Sequence, residues 1–373
     1  MNALQLGFIV GAKPATGSER YYWDLLRTLP ACGVDVRGIV VGDVGAVETP
    51  LATVESVAPE GGPAIPRLRG LRRAVAERVG ESDVVVSHQA QHALPVLDLI
   101  RKRPFVVHFH GPLVREGRAE RVSRKNLFMR GLAERAVYPR AQRIVVLSEA
   151  FGRIVQEDYA IDPARIRVVP GAVDLARFDR SVTREQARAE LGWPQDRPIV
   201  LAVRRLAATK GLEELIDAID IVRQKIPDVL LMLSGNGPLA PALAERVRAK
   251  NLDRWVRFVG QLGDALALGY TAADMTVVPS VALEGFGLVV VESLACGTPA
   301  LVTPVGGLPE VVRALDPALI FERATTTSIA VGLIDALGGA TVLPDADACA
   351  TYAQRFDWPT IAAQIGDVYR EVA

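Results

Sequence analysis

The feature that most constrains this chain is the stretch 280–313, in which glycine turns alternate with apolar runs. Its segments are a turn over 284–287, a buried helix over 288–296, a strand over 300–303, a second turn at 306–307 and a further helix from 309. Gly297 and Pro299 end the first helix, as is usual at a helix C-terminus. The stretch therefore predicts an α/β unit with a glycine loop directly before a buried helix.

The turn before this helix is suited to an anion. Gly285 and Gly287 let backbone N–H groups approach a ligand, and the helix dipole favours negative charge there. Glu284 and Glu292 should face neutral hydroxyls instead, because an ionised carboxylate can accept hydrogen bonds from a vicinal diol. A nucleotide-sugar satisfies all three features. The ordinary alternative is a capped helix with solvated glutamates, although an unpaired charge in the apolar run around Glu292 would be costly.

Glu284 and Glu292, with seven residues between them in EGFGLVVVESLACGTP, resemble a known signature. It is the E-x7-E motif of retaining glycosyltransferases with the GT-B fold, specifically glycosyltransferase family 4. The following TPVGGLPEVV is similar to the next segment of that family. The resemblance extends over most of the chain and is weakest between 43 and 81. It implies an α/β protein with the GT-B fold, two Rossmann-like domains facing across a cleft.

The order of strands and helices predicts the same class. The segment 4–10 is an apolar strand, followed by a Pro/Gly loop and a helix over 19–29, which is how a Rossmann-like domain opens. A chain of 373 residues can form two domains with sizeable cores. The resemblance implies an N-terminal acceptor-binding domain, 1–178, and a C-terminal nucleotide-sugar-binding domain, 179–355. A closing helix over about 356–373 is expected to pack back on the first domain.

Two cations follow the strand over 198–203, at the carboxyl end where a parallel sheet binds ligands. Cations at such an edge favour phosphate, and exposed loop charges are the ordinary alternative. The segment resembles the family's G-R-L-x3-K-G, in which Arg and Lys hold the diphosphate. Arg204 stands where Gly is usual, and the register set by Leu206 and Lys210 selects Arg205.

His110 also lies at the carboxyl end of a strand, 105–109. A lone histidine is more often structural, and His108 within the strand is interpreted as a core residue. The segment HFHGP resembles the family's His–Gly element, whose histidine lies near the donor sugar. The resemblance therefore places His110 in the site.

Taken together, the resemblance implies a set of site residues. The catalytic set is His110, Glu284, Arg205 and Lys210. The donor-binding set is Gly17, Gly235, Leu262, Gly285, Phe286, Gly287, Leu288 and Glu292. Within it, Glu284 should orient the donor sugar and Glu292 the ribose. The sequence has no Asp-x-Asp pair placed like a metal site and no His/Cys cluster. We therefore expect no metal and no cofactor beside a UDP- or GDP-linked donor.

Charge is distributed unevenly between the two halves. Residues 1–178 carry 25 Lys and Arg against 19 Asp and Glu, a net +6, and the rest of the chain carries 18 against 24, a net −6. We expect the first half to meet the more acidic partner. Arg115, Arg118, Arg121 and Arg124 recur every three residues, a basic stripe if they share one helix. The stripe could be a solvated face, an acceptor contact or an anionic lipid contact.

The sequence has no run as long as the roughly 18–20 apolar residues of a membrane span, and its opening LQLGFIV lacks the basic region of a signal peptide. A cytoplasmic protein is expected, with peripheral contact at the inner membrane face as an alternative. The zero net charge disfavours a general nucleic-acid binder.

The function that the resemblance implies is retaining transfer of a hexose from a nucleotide-diphosphate sugar. The acceptor would be a hydroxyl of a glycan, a lipid-linked molecule or a small molecule. Two alternatives stay open. A sugar-nucleotide epimerase of the same fold would turn over without an acceptor. A non-catalytic nucleotide-sugar sensor would bind without turnover, and Thr16 and Arg204, which depart from the family pattern, keep this reading open.

Overall fold

The computed structural model describes residues 1–10, 17–42, 48–49, 52–57, 64–119, 122–178 and 180–373. They form two compact units: Met1–Ala172 with Trp358–Ala373, and Val173–Asp357. The sequence placed the domain boundary at 178, but the residues from Val173 to Phe178 already belong to the second unit. There the Val173 N–H donates to Phe356 O at 2.8 Å, which ties the start of this unit to its end.

The first unit is built on a mainly parallel sheet, as expected of short apolar strands joined by helical crossovers. Its strands are β1 (Asn2–Val10), β2 (Asp35–Gly42), β3 (Glu48–Thr49), β4 (Ala52–Ser56), β5 (Val84–His88), β6 (Phe105–Phe109), β7 (Arg143–Val146) and β8 (Ile166–Val168). They lie in the order β3-β4-β2-β1-β5-β6-β7-β8, and only β3 and β4 pair antiparallel.

Helices cover this sheet on both faces. They are α1 (Gly17–Thr28), α2 (Ala64–Arg78), α3 (Ala90–Ala93), α4 (Leu97–Ile100), α5 (Leu113–Ala119), α6 (Arg124–Val137) and α7 (Glu149–Tyr159). Every residue of β5 is buried, because successive side chains enter opposite faces that are both covered. Val84 and Val86 join one hydrophobic cluster, and Val85 joins the other.

The second unit has a five-stranded sheet in which all neighbours pair parallel. Its strands are β9 (Ile199–Val203), β10 (Leu230–Ser234), β11 (Val256–Gly260), β12 (Met275–Val278) and β13 (Ala300–Val302). Its helices are α8 (Arg184–Leu191), α9 (Leu212–Val222), α10 (Ala240–Ala249), α11 (Leu266–Ala272), α12 (Leu288–Ala295), α13 (Leu308–Val312), α14 (Thr326–Leu337) and α15 (Ala346–Ala353). The helix expected from Leu288 is therefore α12.

The strand order of this sheet, β11-β10-β9-β12-β13, reverses direction between β9 and β12. The chain moves from β9 to β10 on one side and later returns to β12 on the other. The loops that leave the carboxyl ends of β9 and β12 therefore flank this switch point. Such switch points are where open α/β sheets bind their ligands.

The last helix, α16 (Trp358–Arg370), belongs to the first unit. It buries Trp358, Ile361 and Ile365 in the same cluster as the apolar face of α1. The rings of Trp358 and Tyr21 lie 5.2 Å apart. Among the described residues, no helix combines the length and apolar character needed to cross a bilayer.

Replacing Ile365 with Ala should lower the free energy of unfolding by about 2–5 kcal/mol, because the fully buried side chain leaves a cavity. The matched control is Gln364→Ala, at the neighbouring exposed position of the same helix, which should change stability by less than about 0.5 kcal/mol. Urea unfolding of the intact protein measures both. Equal stabilities for the two variants would contradict the packing of α16 described here.

Candidate active site

Four loops pack closely at the carboxyl edge of the second sheet, and glycines make this approach possible. Gly211, Gly235 and Gly306 have φ values of +66°, +141° and +56°, which L side chains rarely adopt. A Cβ at Gly235 would overlap Arg204 O, and one at Gly306 would overlap Glu284 O. The loops after β9, β10, β12 and β13 are thus fixed against one another, backbone to backbone.

Glu284 is the centre of a buried charge cluster in these loops. Its carboxylate Oε2 accepts hydrogen bonds from Lys210 Nζ at 3.0 Å, from Ser280 Oγ at 2.8 Å and from Arg204 Nη2. Arg204 Nη2 also donates to Ser280 Oγ at 2.7 Å. Leu283, just before Glu284, has a φ of +47°, an unfavourable conformation for a non-glycine residue. The surrounding contacts hold the backbone there and so position Glu284.

The cluster keeps Glu284 ionised. Burial raises the pKa of this carboxyl, but the cations of Arg204 and Lys210 and the hydrogen bonds of the cluster outweigh it and lower the pKa to about 2. Two cations and one carboxylate leave the cluster with one net positive charge. Within the described part of the chain, the hydrogen bonds to the Glu284 side chain end on Oε2, so Oε1 remains an acceptor for a ligand.

Arg204 differs from Arg205 in its surroundings. Arg204 is 8% exposed, and its Nε has no hydrogen-bond partner among the described residues. A buried donor without a partner costs about 1–3 kcal/mol, so this nitrogen marks a place where a ligand acceptor would be stabilised. Arg205, which the motif register selects, is exposed, and its role stays a prediction. The only sequence signal for Arg204 was its replacement of the usual glycine.

Glu292 lies inside α12 and is 6% exposed. Its Oε2 accepts a hydrogen bond from Tyr270 OH at 2.8 Å. Burial raises the pKa of the Tyr270 phenol well above its usual value, the Glu292 carboxylate raises it further, and the Arg204 cation lowers it. The Arg204 cation therefore influences both the Glu284 carboxyl and the Tyr270 phenol that donates to Glu292. The ribose role of Glu292 stays a prediction.

The other predicted donor-binding residues have different surroundings. Phe286 is 4% exposed and packs on Phe356, with ring centroids 5.6 Å apart, so its side chain belongs to the core. Gly287 is the N-cap of α12, with a φ of +86°, and a Cβ there would crowd Leu308. Gly285 and Leu288 flank these residues and are half-buried, and Leu262 packs close to α11 at Gly269. Gly17 is exposed at the start of α1 in the first unit.

His110 follows β6 in the first unit and joins a buried polar network. Its Nε2 lies 3.2 Å from His88 Nδ1, and His88 Nε2 lies 2.9 Å from Gln5 Oε1. Gln5 Nε2 donates to Tyr369 OH at 3.3 Å, and this hydroxyl lies 2.8 Å from His108 Nε2. The network thus joins the end of β6 to α16. His108 is 1% exposed, in agreement with its assignment to the core.

These histidines are neutral in the folded protein. Burial and the neighbouring histidines lower the pKa of His88 and His108 well below the usual value. Burial, with a smaller contribution from His92, lowers the pKa of His110 to about 3. A neutral imidazole has one donor and one acceptor nitrogen, so His110 can contact a sugar hydroxyl only as an uncharged partner.

The four predicted arginines do not lie on one helix. Arg115 and Arg118 are in α5, which ends at Ala119, and Arg124 begins α6. Arg121 lies outside the described residues. The single stripe is therefore wrong, because Ser123 caps a new helix by accepting a hydrogen bond from Asn126 N. Arg115, Arg118 and Arg124 are all exposed, and Arg115 pairs with Asp158.

Two doubly wound α/β units, with a buried charge cluster at the switch point of the second, are the architecture of the GT-B class. The chain matches the family model "Glycosyltransferase Family 4" over residues 15–177 and "Glycosyl transferases group 1" over 183–356. It belongs to the group 1 glycosyltransferases of family 4. The family predicted from the E-x7-E motif is thereby confirmed.

Curated relatives include proteins named D-inositol 3-phosphate glycosyltransferase. The one from Salinispora arenicola is 32% identical over 366 residues, covering 91% of this chain and 78% of the relative. The one from Rhodococcus erythropolis is 32% identical, over 65% of this chain and 57% of its own length. The one from Mycolicibacterium vanbaalenii is 37% identical, over 50% and 43%. The matches thus span about half the length of several relatives.

Solved structures confirm the GT-B fold. Sucrose-phosphate synthase from Thermosynechococcus elongatus has a TM-score of 0.79 and 25% identity, covering 99% of this chain and 98% of that one. Anabaena HepE, solved in complex with UDP and glucose, has a TM-score of 0.78 and 22% identity over the full length of both chains.

Among the described residues, no group of three or more His, Cys, Asp or Glu side chains is arranged to hold a metal.

The protein should lose stability as the pH falls below about 6.5, because His88 and His108 are protonated in the unfolded chain but not in the folded one. Their folded pKa is depressed, so the unfolded state binds more protons below 6.5 and stability drops with pH. When the pH falls from about 7 to about 5.5, each buried histidine should lower the free energy of unfolding by roughly 1 kcal/mol. The carboxyl of Glu284, with a pKa of about 2, titrates below this window.

Urea unfolding of the wild type and of His88→Asn at both pH values measures this effect. Between the two pH values, the variant should lose roughly 1 kcal/mol less of its free energy of unfolding than the wild type loses. This difference does not depend on the stability of the variant at pH 7. An equal pH-dependent loss in the two proteins would contradict a neutral, buried His88.

Proposed function

We propose that the protein is a retaining glycosyltransferase that moves a hexose from a nucleotide-diphosphate sugar to a hydroxyl of an acceptor. The observation that carries this proposal is the cluster of Arg204, Lys210, Ser280 and Glu284 at the switch point of the second sheet. The cluster combines a net positive charge, which can bind an anion, with a carboxylate, which can accept hydrogen bonds from hydroxyl groups. A sugar phosphate needs both.

The diphosphate would bind where positive charge is concentrated. The cluster has one net positive charge, and Arg204 Nε is a buried donor without a partner among the described residues. The N-terminus of α12, at Gly287, adds the partial charge of unsatisfied N–H groups. As the bond from the sugar to the diphosphate breaks, negative charge builds on the leaving oxygen, and these preorganised groups stabilise it.

Glu284 is suited to orienting the sugar rather than attacking it. Arg204 and Lys210 hold its pKa at about 2, so the carboxylate is a weak base and nucleophile but a ready hydrogen-bond acceptor. Retaining glycosidases use two carboxyls placed close together, one of them as nucleophile. Here transfer is proposed to proceed through an oxocarbenium-like state on one face of the sugar, with the leaving phosphate taking the acceptor's proton. His110 would contact the sugar as a neutral partner.

The donor is proposed to be UDP- or GDP-linked, with no further cofactor. The acceptor is proposed to be an anionic or lipid-linked hydroxyl compound, which the net +6 of residues 1–178 supports. Several relatives are named for D-inositol 3-phosphate, a small anionic polyol, so this compound belongs in an acceptor panel.

The direct test is incubation with UDP- and GDP-hexoses, with and without a panel of acceptors that includes inositol phosphates and lipid-linked glycans. NMR of the product gives the configuration at the anomeric carbon, which should match that of the donor. Inversion would contradict the retaining assignment. Turnover of the sugar nucleotide without acceptor would favour an epimerase, and binding without turnover with any acceptor a sensor.

Arg204→Met should weaken binding of the matching nucleoside diphosphate by roughly tenfold or more, because a charge-assisted contact to phosphate is lost. The matched control is Arg205→Met, a neighbouring arginine that is exposed, and it should change the Kd by less than about threefold. Isothermal calorimetry with UDP and GDP gives both values. A large loss with Arg205→Met and none with Arg204→Met would restore the register prediction and reject the role given to Arg204.

A further inference from the structure

Helix α6 presents an apolar ridge to solvent. The ridge consists of Phe128, Met129 and Leu132, which are 71%, 47% and 47% exposed. With Lys125 they occupy positions i, i+3, i+4 and i+7, so they form one line along the helix. Single exposed apolar residues are common, but three contiguous ones, including a mostly exposed phenylalanine, point to a binding surface.

The opposite face of α6 is fixed in the first unit. Ala133, Glu134 and Val137 are buried, and Glu134 Oε1 accepts a hydrogen bond from Leu113 N at 2.6 Å. Arg130 Nη1 donates to Leu113 O at 3.1 Å, which attaches α6 to α5. The helix is therefore anchored by its other face, and the ridge projects from a rigid support.

Every exposed charge on α6 is positive. Arg124, Lys125 and Arg135 are exposed, and the one acid of the helix, Glu134, is 1% exposed. The flanking sequence has the same bias, because residues 101–140 contain 11 Lys and Arg against 3 Glu. Cations around a short apolar ridge are the pattern of helices that lie in the interface of an anionic bilayer.

A second copy of the chain fits this surface less well. A two-fold axis would bring the ridge of one copy onto that of the other, and Arg124 and Lys125 would then face cations in either orientation. The three side chains offer on the order of 300 Å² of apolar surface, whereas a stable interface buries about 800 Å² on each partner. Lipid headgroups supply the missing negative charge, and acyl chains require no matching shape.

We propose that the α6 ridge docks the protein on the surface of an anionic lipid bilayer. Phe128, Met129 and Leu132 enter the boundary between headgroups and acyl chains, while Arg124, Lys125 and Arg135 contact lipid phosphates. Lipid binding by the α6 ridge does not involve the cluster around Glu284, because that cluster lies in the other unit. Binding measured without substrate therefore tests the inference separately from the proposed function.

The test is flotation of the intact protein with vesicles of phosphatidylcholine and phosphatidylglycerol in equal parts, and with vesicles of phosphatidylcholine alone. The wild type should float with the mixed vesicles and lose most of this binding without the anionic lipid or at high salt. Phe128→Ser combined with Met129→Ser and Leu132→Ser should reduce binding by tenfold or more. Arg124→Glu with Lys125→Glu should do the same through charge.

Two matched controls separate the ridge from general surface effects. Val342→Ser removes an 84% exposed apolar residue of the second unit, and Arg248→Glu reverses an exposed charge of that unit, so neither should alter flotation. Circular dichroism should show that all variants are folded, because the changes lie on the surface. Undiminished binding by the triple serine variant would overturn the proposal. The proposal would also be overturned if, in sedimentation velocity, the wild type is a dimer and the triple serine variant is a monomer.

Discussion

The second unit depends on one buried interaction, the convergence of Arg204, Lys210 and Ser280 on a single oxygen of Glu284. A carboxylate removed from water is costly unless opposite charges and hydrogen bonds compensate it, and here both do. The three partners come from two loops that leave the sheet on opposite sides of the switch point. The ion cluster thus fixes the relative position of those loops, and the same contacts that hold the unit together create its candidate donor site.

This double role explains the density of glycines in the loops. Bringing four loops into contact requires the backbone of one to touch the backbone of the next, which any Cβ at Gly211, Gly235 or Gly306 would prevent. The strained φ of Leu283 has the same origin, because the chain must bend sharply to direct Glu284 into the cluster. Packing, strain and charge at this edge are therefore parts of one arrangement.

The first unit uses polar contacts differently. Its buried histidines are stabilised as neutral rings by hydrogen bonds to Gln5, to Tyr369 and to one another, without a carboxylate among those partners. Because Tyr369 belongs to α16, the end of the chain contributes to the setting of His110. The positive charge of this unit is concentrated on its surface instead, where α6 combines it with exposed apolar side chains.

The sequence by itself determined the family, the fold class and the position of α12, because glycine turns, short apolar strands and the E-x7-E spacing are local patterns. It also placed Lys210 and Glu284 in the segments that follow β9 and β12. Only the tertiary structure brought Arg204, rather than Arg205, beside Glu284. Residues next to each other at the end of a strand point in different directions, and the facing loop decides which of them meets Glu284.

The tertiary structure also divided the predicted basic stripe between α5 and α6. Periodicity cannot reveal that division, because an arginine every third residue reads the same whether or not a serine cap starts a new helix, and only packing decides which side chains remain in water.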